Sequence, residues 1–332
     1  MQLDINKLIQ PTEAYVPESS DPIVQPYTYI SETPSNNQNV RTRFLHAFND
    51  LFYKISDESL LARISEIISV FHNSSLLIDD IEDDSKYRRG VPVAHVKYGI
   101  PTTINCGNLM YFVALQQAQQ LSGPHGSMEV KFKSSQILID ELLNLHRGQG
   151  LDIYWRDYLK KLEKLPDVEE YLEMIKDKTG GLFRLAIKLL LLYSDVKEND
   201  QLISLANLMG ILYQVRDDYL NLVDAKYSAM KGTTCEDLIE GKLSLPILHC
   251  LRTTKDSPVH KILYDYDSSS DRVSQNSLID LSLSFMKNES KSLEYTLNLI
   301  KVLEKKLRQL ILKYPELENS ALLKIVEHLC DL

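Results

Sequence analysis

The length, composition and charge of the chain describe a globular protein without broad affinity for nucleic acid. Its 332 residues can bury a large core, and 44% hydrophobic with 25% charged residues is the profile of a folded, soluble chain. A formal net charge of -9 and a pI near 5.5 argue against a nucleic-acid partner, although local cations or metal ions could still hold an anionic small molecule.

The predicted elements are almost all helical. The first segment, 1–39, is rich in Pro, Ser and Asn from residue 11 onward, so we predict it to be irregular. From residue 59 apolar residues recur with three-four spacing, the pattern of an amphipathic helix. The same pattern predicts helices over 59–84, 102–121, 129–156, 168–194, 199–222, 277–287, 292–312 and 318–331. No stretch alternates with β-branched residues, so we expect no strands and a single all-α domain over 40–332.

Cysteine usage and hydropathy point to a reduced, cytoplasmic protein without a transmembrane segment. The most apolar run, "LAIKLLLLY" (185–193), is too short to cross a bilayer and contains Lys188. The cysteines are scattered and form no CxxC pair, so we expect neither disulfides nor a zinc site. They are Cys106, Cys235, Cys250 and Cys330.

A first acidic cluster closes the helix predicted over 59–84. In "SLLIDDIEDDSKYRRG" (75–90), Asp79 and Asp83 are one turn apart on one face, with Asp80 about 100° round the helix. A run of charges is most often a solvated surface patch. The apolar "SLLI" directly before it favours the floor of a pocket instead.

A second acidic cluster closes another apolar helix. In "YQVRDDYLNLVD" (213–224), Asp217 and Asn221 stand at i and i+4, with Asp218 beside them. Two helix ends of this kind can face each other across a cavity. Carboxylates are hard oxygen ligands that suit Mg²⁺, which takes one or two of them and completes its shell with water and phosphate. We therefore predict a magnesium site shared by the two clusters.

Basic residues occur where an anionic ligand of that metal would need them. Arg88 and Arg89 follow the first cluster, and three lysines lie in "DKTGGLFRL" and "KGTTCEDLIEGK". Each alone is more often surface charge, but together with the acidic clusters they indicate a diphosphate clamp. Gly180 and Gly181 interrupt a helical run at a cost of about 1 kcal/mol each, which predicts a ligand close to the backbone there. The lysines are Lys178, Lys231 and Lys242.

These motifs resemble those of a known family. "LHRGQGLDIYWRD", "KTGGLFRL", "YQVRDDYLNL" and "CEDLIEGKLSLP" are similar to signatures of the all-trans isoprenyl diphosphate synthases, specifically the animal and fungal geranylgeranyl diphosphate synthases. The resemblance runs from about residue 26 and weakens after 255. It implies a helical bundle around a deep central tunnel, the isoprenoid synthase fold. It also implies prenyl diphosphate substrates, Mg²⁺ as cofactor, and a homodimer or a higher homo-oligomer.

The resemblance also assigns roles to individual residues. Asp79, Asp80, Asp83, Asp217 and Asp218 match metal ligands, and Asn221 stands where many members have aspartate. Matches to residues that hold the allylic diphosphate are Arg88, Lys178, Thr179, Gln214, Lys231 and Lys242. Matches to residues that hold isopentenyl diphosphate are Arg41, His72 and Arg89. The set expected to act directly in catalysis is Asp79, Asp80, Asp83, Lys178, Thr179, Gln214 and Asp217.

Product length is expected to depend on the residues beneath the first cluster. Ser74 and Ser75 lie about one helical turn, ~5 Å, below Asp79. Short-chain members of the family carry bulky aromatics there, so two serines imply an open shaft and a twenty-carbon product. Tyr111, Phe112 and His146 are candidates for the floor of the shaft, although the two aromatics could equally be ordinary core.

One departure from the family keeps three functions open. Asn37 and Gln38 stand where members carry a Gly-Lys pair, whose lysine grips isopentenyl diphosphate. A neutral amide cannot replace that charge fully. The chain could be a geranylgeranyl diphosphate synthase with altered binding of its second substrate. It could instead be a terpene synthase that cyclises one prenyl diphosphate, or a non-catalytic regulatory subunit, which the intact aspartates disfavour.

Overall fold

The computed structural model describes residues 10, 14–33, 40–197, 200–224, 234–313 and 320–332, apart from the side chain of Arg41. Sixteen α-helices lie in these ranges. The first eight are α1 (Gln25–Glu32), α2 (Val40–Phe48), α3 (Glu58–Glu82), α4 (Ala94–Tyr98), α5 (Ile100–Gln120), α6 (Met128–Asp157), α7 (Val168–Lys178) and α8 (Gly180–Leu192). The others are α9 (Asp200–Val223), α10 (Glu236–Glu240), α11 (Leu245–Thr253), α12 (Pro258–Asp265), α13 (Ser269–Val273), α14 (Asn276–Asn288), α15 (Ser292–Ile311) and α16 (Ala321–Cys330).

The long helices form one bundle around a shared apolar core. Helix α3 packs along α5, α6 packs against both α7 and α8, and α9 lies between α8 and α15. Phe44 of α2 and Phe183 of α8 meet edge to face with ring centroids 4.8 Å apart, both fully buried. The all-α fold expected from the periodicity is confirmed, and within the described residues each long predicted helix except that over 168–194 corresponds to one helix. No described helix has the length and hydropathy needed to span a bilayer.

The helix predicted over 168–194 is divided in two. Helix α7 ends at Lys178 and α8 begins at Gly180, so Thr179 lies between them and caps α7 by donating its N–H to the carbonyl of Ile175 at 2.8 Å. The division places the Lys178 and Thr179 side chains at a helix junction.

The N-terminal segment departs from the irregular structure predicted for it. Residues Gln25–Glu32 form α1, preceded by a 3₁₀ turn at Pro22–Val24. Proline suggested a break, but Pro26 occupies the first turn, where a helix has no internal use for its N–H. Tyr29 of α1 donates its hydroxyl to the carbonyl of Pro92 at 2.8 Å, which ties this segment to the rest of the domain.

A short hairpin is the other departure, because no strand was predicted. Strands β1 (Tyr87–Arg88) and β2 (Val91–Pro92) pair antiparallel, with Arg89 and Gly90 as the two turn residues. Both have positive φ, 56° and 80°, as the tight hairpin turn requires. Two residues per strand are too few to show alternation in the sequence. The hairpin directly follows the first acidic cluster and holds both arginines beside it.

Candidate active site

One large cavity of about 500 Å³ lies inside the bundle, and both acidic helix ends contribute to its wall. Asp79 enters it from α3, while Asp217 and Asp218 enter it from α9. Buried apolar residues, Ile68 and Leu182 among them, also form part of the wall. The wall of one cavity therefore combines charged and apolar side chains.

Asp79 is the aspartate of the first cluster that lines the cavity, where Glu82 of the same stretch accompanies it. Its carboxylate accepts hydrogen bonds from Arg88 Nη2 at 3.0 Å and from Gln149 Nε2 at 3.1 Å, and Lys178 Nζ stands 3.7 Å away. Asp80, only 1% exposed, is bound by the same arginine with Nη2 at 2.6 Å. The hairpin thus places Arg88 across both aspartates, which offsets their mutual repulsion.

Asp83 is also buried, in ion pairs at the side of the cavity. Its two carboxylate oxygens bind Arg156 Nη1 at 2.7 Å and Lys242 Nζ at 2.6 Å. Arg156 additionally donates to the backbone carbonyl of Glu82 at 2.8 Å. Neither Asp80 nor Asp83 is part of the cavity wall, so the structure places one member of the first cluster at the cavity and the other two directly behind it.

In the second cluster, Asp218 is held on all sides by hydrogen bonds. It accepts them from the hydroxyl of Tyr171, from Gln214 Nε2 at 2.9 Å and from the backbone N–H of Leu245 at 2.8 Å. Burial raises its pKa to about 6, helped by the adjacent charge of Asp217 and opposed by these donors. Gln214 also accepts the Thr179 hydroxyl at 2.6 Å, so the two predicted diphosphate-binding residues form one network with Asp218.

Asn221 has a structural contact that the sequence did not indicate. Its side-chain oxygen accepts the backbone N–H of Asp237 at 3.0 Å, at the start of α10. Cys235, directly before α10, adopts a left-handed conformation with φ of 55°. Asp237 is 7% exposed and lines the cavity, and burial together with the charge of Asp218 raises its pKa well above the usual value despite Lys242.

Two lysines reach the cavity from helix ends. Lys178 pairs with Asp152 at 2.6 Å, and Lys242 pairs with Glu240 at 2.9 Å in addition to Asp83. Burial alone would lower the pKa of each lysine, but the neighbouring carboxylates outweigh it and raise the pKa above the usual 10.5. Both lysines therefore stay charged at neutral pH. Lys231, the third predicted lysine, lies outside the described residues.

The residues expected to hold isopentenyl diphosphate are described only in part. His72 and Arg89 line the same cavity as the two acidic helix ends. Arg41 belongs to α2, and its side chain is among those not described. Asn37 and Gln38, which replace the Gly-Lys pair of the family, also lie outside the described residues.

The candidate length-determining residues divide into those that face the cavity and those that do not. Ser75, Tyr111 and His146 line it, and the rings of Tyr111 and His146 lie 5.5 Å apart. Ser74 instead turns into the protein, fully buried, and donates to the Val70 carbonyl at 2.6 Å. Phe112 points outward and is 70% exposed. Neighbours along a helix differ by 100° in direction, which is enough for Ser75 and Tyr111 to face the cavity while Ser74 and Phe112 do not.

Gly180 and Gly181 are explained by packing rather than by a ligand near the backbone. A Cβ on Gly180 would stand 2.8 Å from Arg184 Nη1, and one on Gly210 of α9 would stand 2.5 Å from Gly180 Cα. A Cβ on Gly181 would meet Glu141 Oε2 at 3.3 Å. Protein atoms already fill the space that the sequence assigned to a ligand.

The oxygen ligands at the cavity fit a divalent ion that is completed by its substrate. Within the described ranges, no three acidic, histidine or cysteine side chains stand close enough to hold a metal by themselves. Mg²⁺ commonly uses one or two carboxylates and takes its other oxygens from water and phosphate. Asp79 and Asp217, which line one cavity from different helices, supply ligands of that kind.

Several residues of the site were missed by sequence reasoning. Most lie inside the quoted motifs "LHRGQGLDIYWRD" and "CEDLIEGK", where a polar residue in an apolar setting was an available signal. Tyr171 gave no such signal, because an aromatic on a helical face usually belongs to the core. The missed residues are Gln149, Asp152, Arg156, Tyr171 and Asp237.

The fold and the site define an all-helical protein that can hold an ionised head group above an apolar chain. Residues 21–279 match the polyprenyl synthetase family, and the chain belongs to that family. Members of this family generally depend on divalent metal ions.

Curated relatives cover most of the chain. A geranylgeranyl pyrophosphate synthase of Dictyostelium discoideum is 40% identical over 308 residues, which is 92% of this chain and 92% of that protein. A geranylgeranyl pyrophosphate synthase of Mucor circinelloides f. lusitanicus is 44% identical over 235 residues, 70% of this chain and 71% of the relative. A protein named terpene synthase from Matsumurasca onukii is also 44% identical, over 234 residues, with the same coverage of 70% and 71%.

Proposed function

We propose that this protein is a geranylgeranyl diphosphate synthase, which joins farnesyl diphosphate to isopentenyl diphosphate. The observation that carries the proposal is a large cavity whose wall combines acidic and basic side chains, which we place at its mouth, with apolar ones, which we place in its interior. A prenyl diphosphate has the same two parts. The geranylgeranyl pyrophosphate synthases among its relatives support the same reaction.

The metal of this site is Mg²⁺ in our proposal. Asp79 and Asp217 would bind it directly, with Asp80, Asp83 and Asp218 beside them in the arrangement expected from the family. When bound, Mg²⁺ supplies charge that stabilises the departing diphosphate. Arginine and lysine side chains form ion pairs with these carboxylates and so limit the negative charge of the mouth before the substrate binds.

The side chains of the mouth bind and orient the allylic diphosphate. Lys178, Lys242 and Arg88 line the cavity and can donate to its oxygens, which are charge-assisted hydrogen bonds. Thr179 and Gln214 stand beside them in one hydrogen-bonded pair. The interaction between these cations and the diphosphate strengthens as negative charge develops on the leaving group. The cations therefore stabilise the transition state for bond breaking more than they stabilise the bound substrate.

The chemical step conserves atoms and charge. The C1–O bond of the allylic diphosphate breaks, and the diphosphate leaves with the electron pair. The double bond of isopentenyl diphosphate attacks the resulting allylic cation, which forms the new carbon–carbon bond. The adjacent carbon then loses a proton to the diphosphate. The apolar wall around Ile68 and Leu182 excludes the water that would otherwise capture the cation.

The second substrate and the product chain occupy different parts of the cavity in this proposal. His72 and Arg89, which line the cavity, hold isopentenyl diphosphate, and Arg41 joins them as the resemblance to the family implies. The growing chain passes Ser75, whose small side chain leaves the shaft open, and stops at Tyr111 and His146. A twenty-carbon product follows from that stopping point.

We also propose that the protein is a homodimer, formed through an exposed apolar face on α5 and α6. Phe112 on α5 is 70% exposed, and Phe132 and Leu143 on α6 are 67% and 65% exposed. Ile104, also on α5, is 39% exposed. These large apolar side chains are exposed on two helices that pack against each other, and an exposed apolar patch commonly marks an interface.

A terpene synthase is the second candidate. One relative at 44% identity carries that name, and its identity and coverage equal those of a geranylgeranyl pyrophosphate synthase among the relatives. The replacement of the family's Gly-Lys pair by Asn37 and Gln38 removes a charge from the isopentenyl diphosphate site, which favours the same interpretation.

The deciding experiment supplies the purified protein with Mg²⁺ and farnesyl diphosphate, with and without isopentenyl diphosphate. A twenty-carbon diphosphate formed only with both substrates supports the synthase. A hydrocarbon or alcohol formed from farnesyl diphosphate alone would establish the terpene synthase instead. No product from either mixture, or from geranyl diphosphate, would contradict both and favour a non-catalytic subunit. Heat-treated protein controls for spontaneous hydrolysis of the diphosphate.

A further inference from the structure

A buried arginine binds the end of the helix that presents Lys178. Arg184 is 6% exposed and donates from Nη1 to the backbone carbonyl of Lys176 at 2.8 Å, in the last turn of α7. The same Nη1 donates to Asn207 Oδ1 at 3.0 Å. Its Nη2 binds Glu141 Oε2 at 2.7 Å, and Glu141 is fully buried. Glu141 therefore fixes the guanidinium in place, and the guanidinium in turn binds the C-terminal end of α7.

A second buried arginine does the same for the helix that precedes Lys242. Arg272 is 7% exposed and donates from Nε to the carbonyl of Ile239 at 2.6 Å. Its Nη2 binds the carbonyl of Glu240 at 2.8 Å, and its Nη1 binds that of Tyr266 at 2.9 Å. Helix α10 ends at Glu240, two residues before the lysine. All three of these hydrogen bonds go to backbone carbonyl oxygens rather than to a carboxylate.

Each arginine sits against a glycine that leaves space for it. A Cβ on Gly180 would stand 2.8 Å from Arg184 Nη1, and a Cβ on Gly241 would stand 2.9 Å from Arg272 Nη2. Gly241 also has φ of 86°, which other residues adopt with strain. The two lysine-bearing segments therefore share one arrangement. In each, a glycine just after the helix end leaves room for a guanidinium that comes from a helix later in the chain.

The electrostatics of helix ends explain why this construction belongs beside a diphosphate. The last carbonyls of a helix lack internal partners and together carry about half a negative charge. A helix end that stands beside an anionic ligand with its carbonyls unsatisfied would repel that ligand. A buried guanidinium satisfies the carbonyls and offsets their charge, so that the lysine beyond each end can face the ligand.

We propose that Arg184 and Arg272 are positioning residues for diphosphate binding, acting through Lys178 and Lys242 respectively. This inference rests on the proposed function, since it assumes that the two lysines bind a diphosphate. It goes beyond that function by assigning two residues that line no part of the cavity. Loss of either guanidinium lets its helix end shift and leaves the carbonyl charge uncompensated, which weakens binding without removing a ligand contact.

A third arginine provides a matched control. Arg252 donates from Nη1 to the carbonyls of Leu165 and Pro166, at 3.0 Å and 2.8 Å. The bonds are of the same kind, a guanidinium on two backbone carbonyls, but Arg252 is exposed and these carbonyls lie before the first turn of α7, at the opposite end of that helix from Lys178. Replacement of Arg252 therefore removes carbonyl bonds without touching the helix end beside Lys178 or the one beside Lys242.

The test measures binding of inorganic diphosphate with Mg²⁺ by isothermal titration calorimetry. R184M and R272M are each expected to bind about tenfold more weakly than the wild type, the size of one charge-assisted contact. R252M is expected to bind as the wild type does. Where a methionine variant does not fold, R184K or R272K replaces it, because lysine keeps the charge but loses the planar fork and cannot serve both contacts. Equal affinity in a folded R184 or R272 variant overturns the inference.

Double-mutant cycles separate positioning from general loss of stability. Because Arg272 acts through Lys242, R272M is expected to cost little further affinity once K242M is present, whereas its cost in the K178M background is expected to remain full. R184M and K178M are expected to show the same coupling. Additive losses within both pairs would overturn the inference while leaving the diphosphate site intact. If the wild type itself fails to bind magnesium diphosphate, the proposed function fails first and the inference falls with it.

Discussion

The side-chain oxygen of Asn221 accepts the backbone N–H of Asp237 at 3.0 Å, which links the second acidic cluster to the start of α10. Both residues are 7% exposed. An amide at this position therefore needs no explanation as a weakened metal ligand, because its oxygen is already used to fix the segment that carries Asp237 into the cavity. Aspartate could accept the same hydrogen bond, which makes the two residue types interchangeable in this role.

Asn221→Asp is accordingly expected to keep turnover within about threefold of the wild type, whereas Asn221→Ala leaves a buried N–H without its acceptor. That loss costs about 1–3 kcal/mol of stability and frees the start of α10. Urea unfolding and steady-state rates with farnesyl and isopentenyl diphosphate would measure both effects. Equal rates for the alanine variant and the wild type would show that the contact does not position the site.

Replacement of Asp79 tests the metal site directly. Asp79→Asn keeps the size of the side chain and removes the charge that faces the cavity, so turnover is expected to fall by at least about 10²-fold. Asp84→Asn is the matched control: Asp84 lies five residues further along, pairs with Lys86 and is 61% exposed, so its loss should leave the rate unchanged. A near-normal rate for Asp79→Asn would mean that the metal binds elsewhere.

The helical fold was predictable from the sequence because the spacing of apolar residues can be read within each segment, without knowledge of its neighbours. Helix α3 was expected over 59–84 and runs Glu58–Glu82, since its apolar residues repeat over seven turns. The hairpin at Tyr87–Pro92 was missed because two residues per strand carry no alternation. Helix α1 was missed because Pro26 reads as a breaker unless its place in the first turn is known.

The site was predictable only to the level of which segments meet. The motifs brought Asp79 and Asp217 to one cavity, but they did not show that Asp83 turns to Arg156. The direction of a side chain depends on how its helix is rotated about its own axis relative to the neighbouring helices. Successive residues along a helix differ in direction by 100°. Phe112 and Ser74 illustrate this, since each adjoins a residue that does line the cavity. Arginines that bind carbonyls, such as Arg272, have no signal in the sequence at all.

Product length is expected to change with residues that line the shaft. Ser75→Phe places a ring beneath Asp79 and should shorten the main product, whereas Tyr111→Leu removes the ring that meets His146 edge to face and should lengthen it. Phe112→Leu, at a neighbouring but outward-facing position, should leave the length unchanged. Chromatography of the dephosphorylated products measures all three. A change with Phe112→Leu but none with Tyr111→Leu would reverse the assignment of the floor.

The buried Glu141 gives a pH dependence with a definite sign. Burial alone would raise its pKa, but the hydrogen bonds and charges of Arg184 and Lys188 outweigh burial and lower the pKa below the usual 4.5. A carboxylate whose pKa is lower in the folded state stabilises the fold fully above its unfolded pKa, and this stabilisation is lost as the pH falls through the folded value. The Glu141 contribution should thus be complete at neutral pH and decline below pH 4.5.

Glu141→Gln isolates that contribution. At about pH 7 the variant should be less stable than the wild type by ~3–5 kcal/mol, because two buried or half-buried cations lose their counter-charge. The difference in urea midpoint between the two proteins should narrow as the pH falls below 4.5. A gap that stays constant across this range would show that Glu141 is not the titrating group.

The homodimer is tested by charges placed on its proposed face. Phe132→Asp puts a carboxylate on the exposed apolar patch of α5 and α6, where a second copy would bury it without a partner, so the dimer is expected to dissociate. Val302→Asp is the control, because Val302 is 62% exposed on α15 and lies outside that patch. Analytical ultracentrifugation should give a monomer for the first variant and the wild-type mass for the second. A dimer that survives Phe132→Asp, or one that Val302→Asp breaks, would place the interface on another surface.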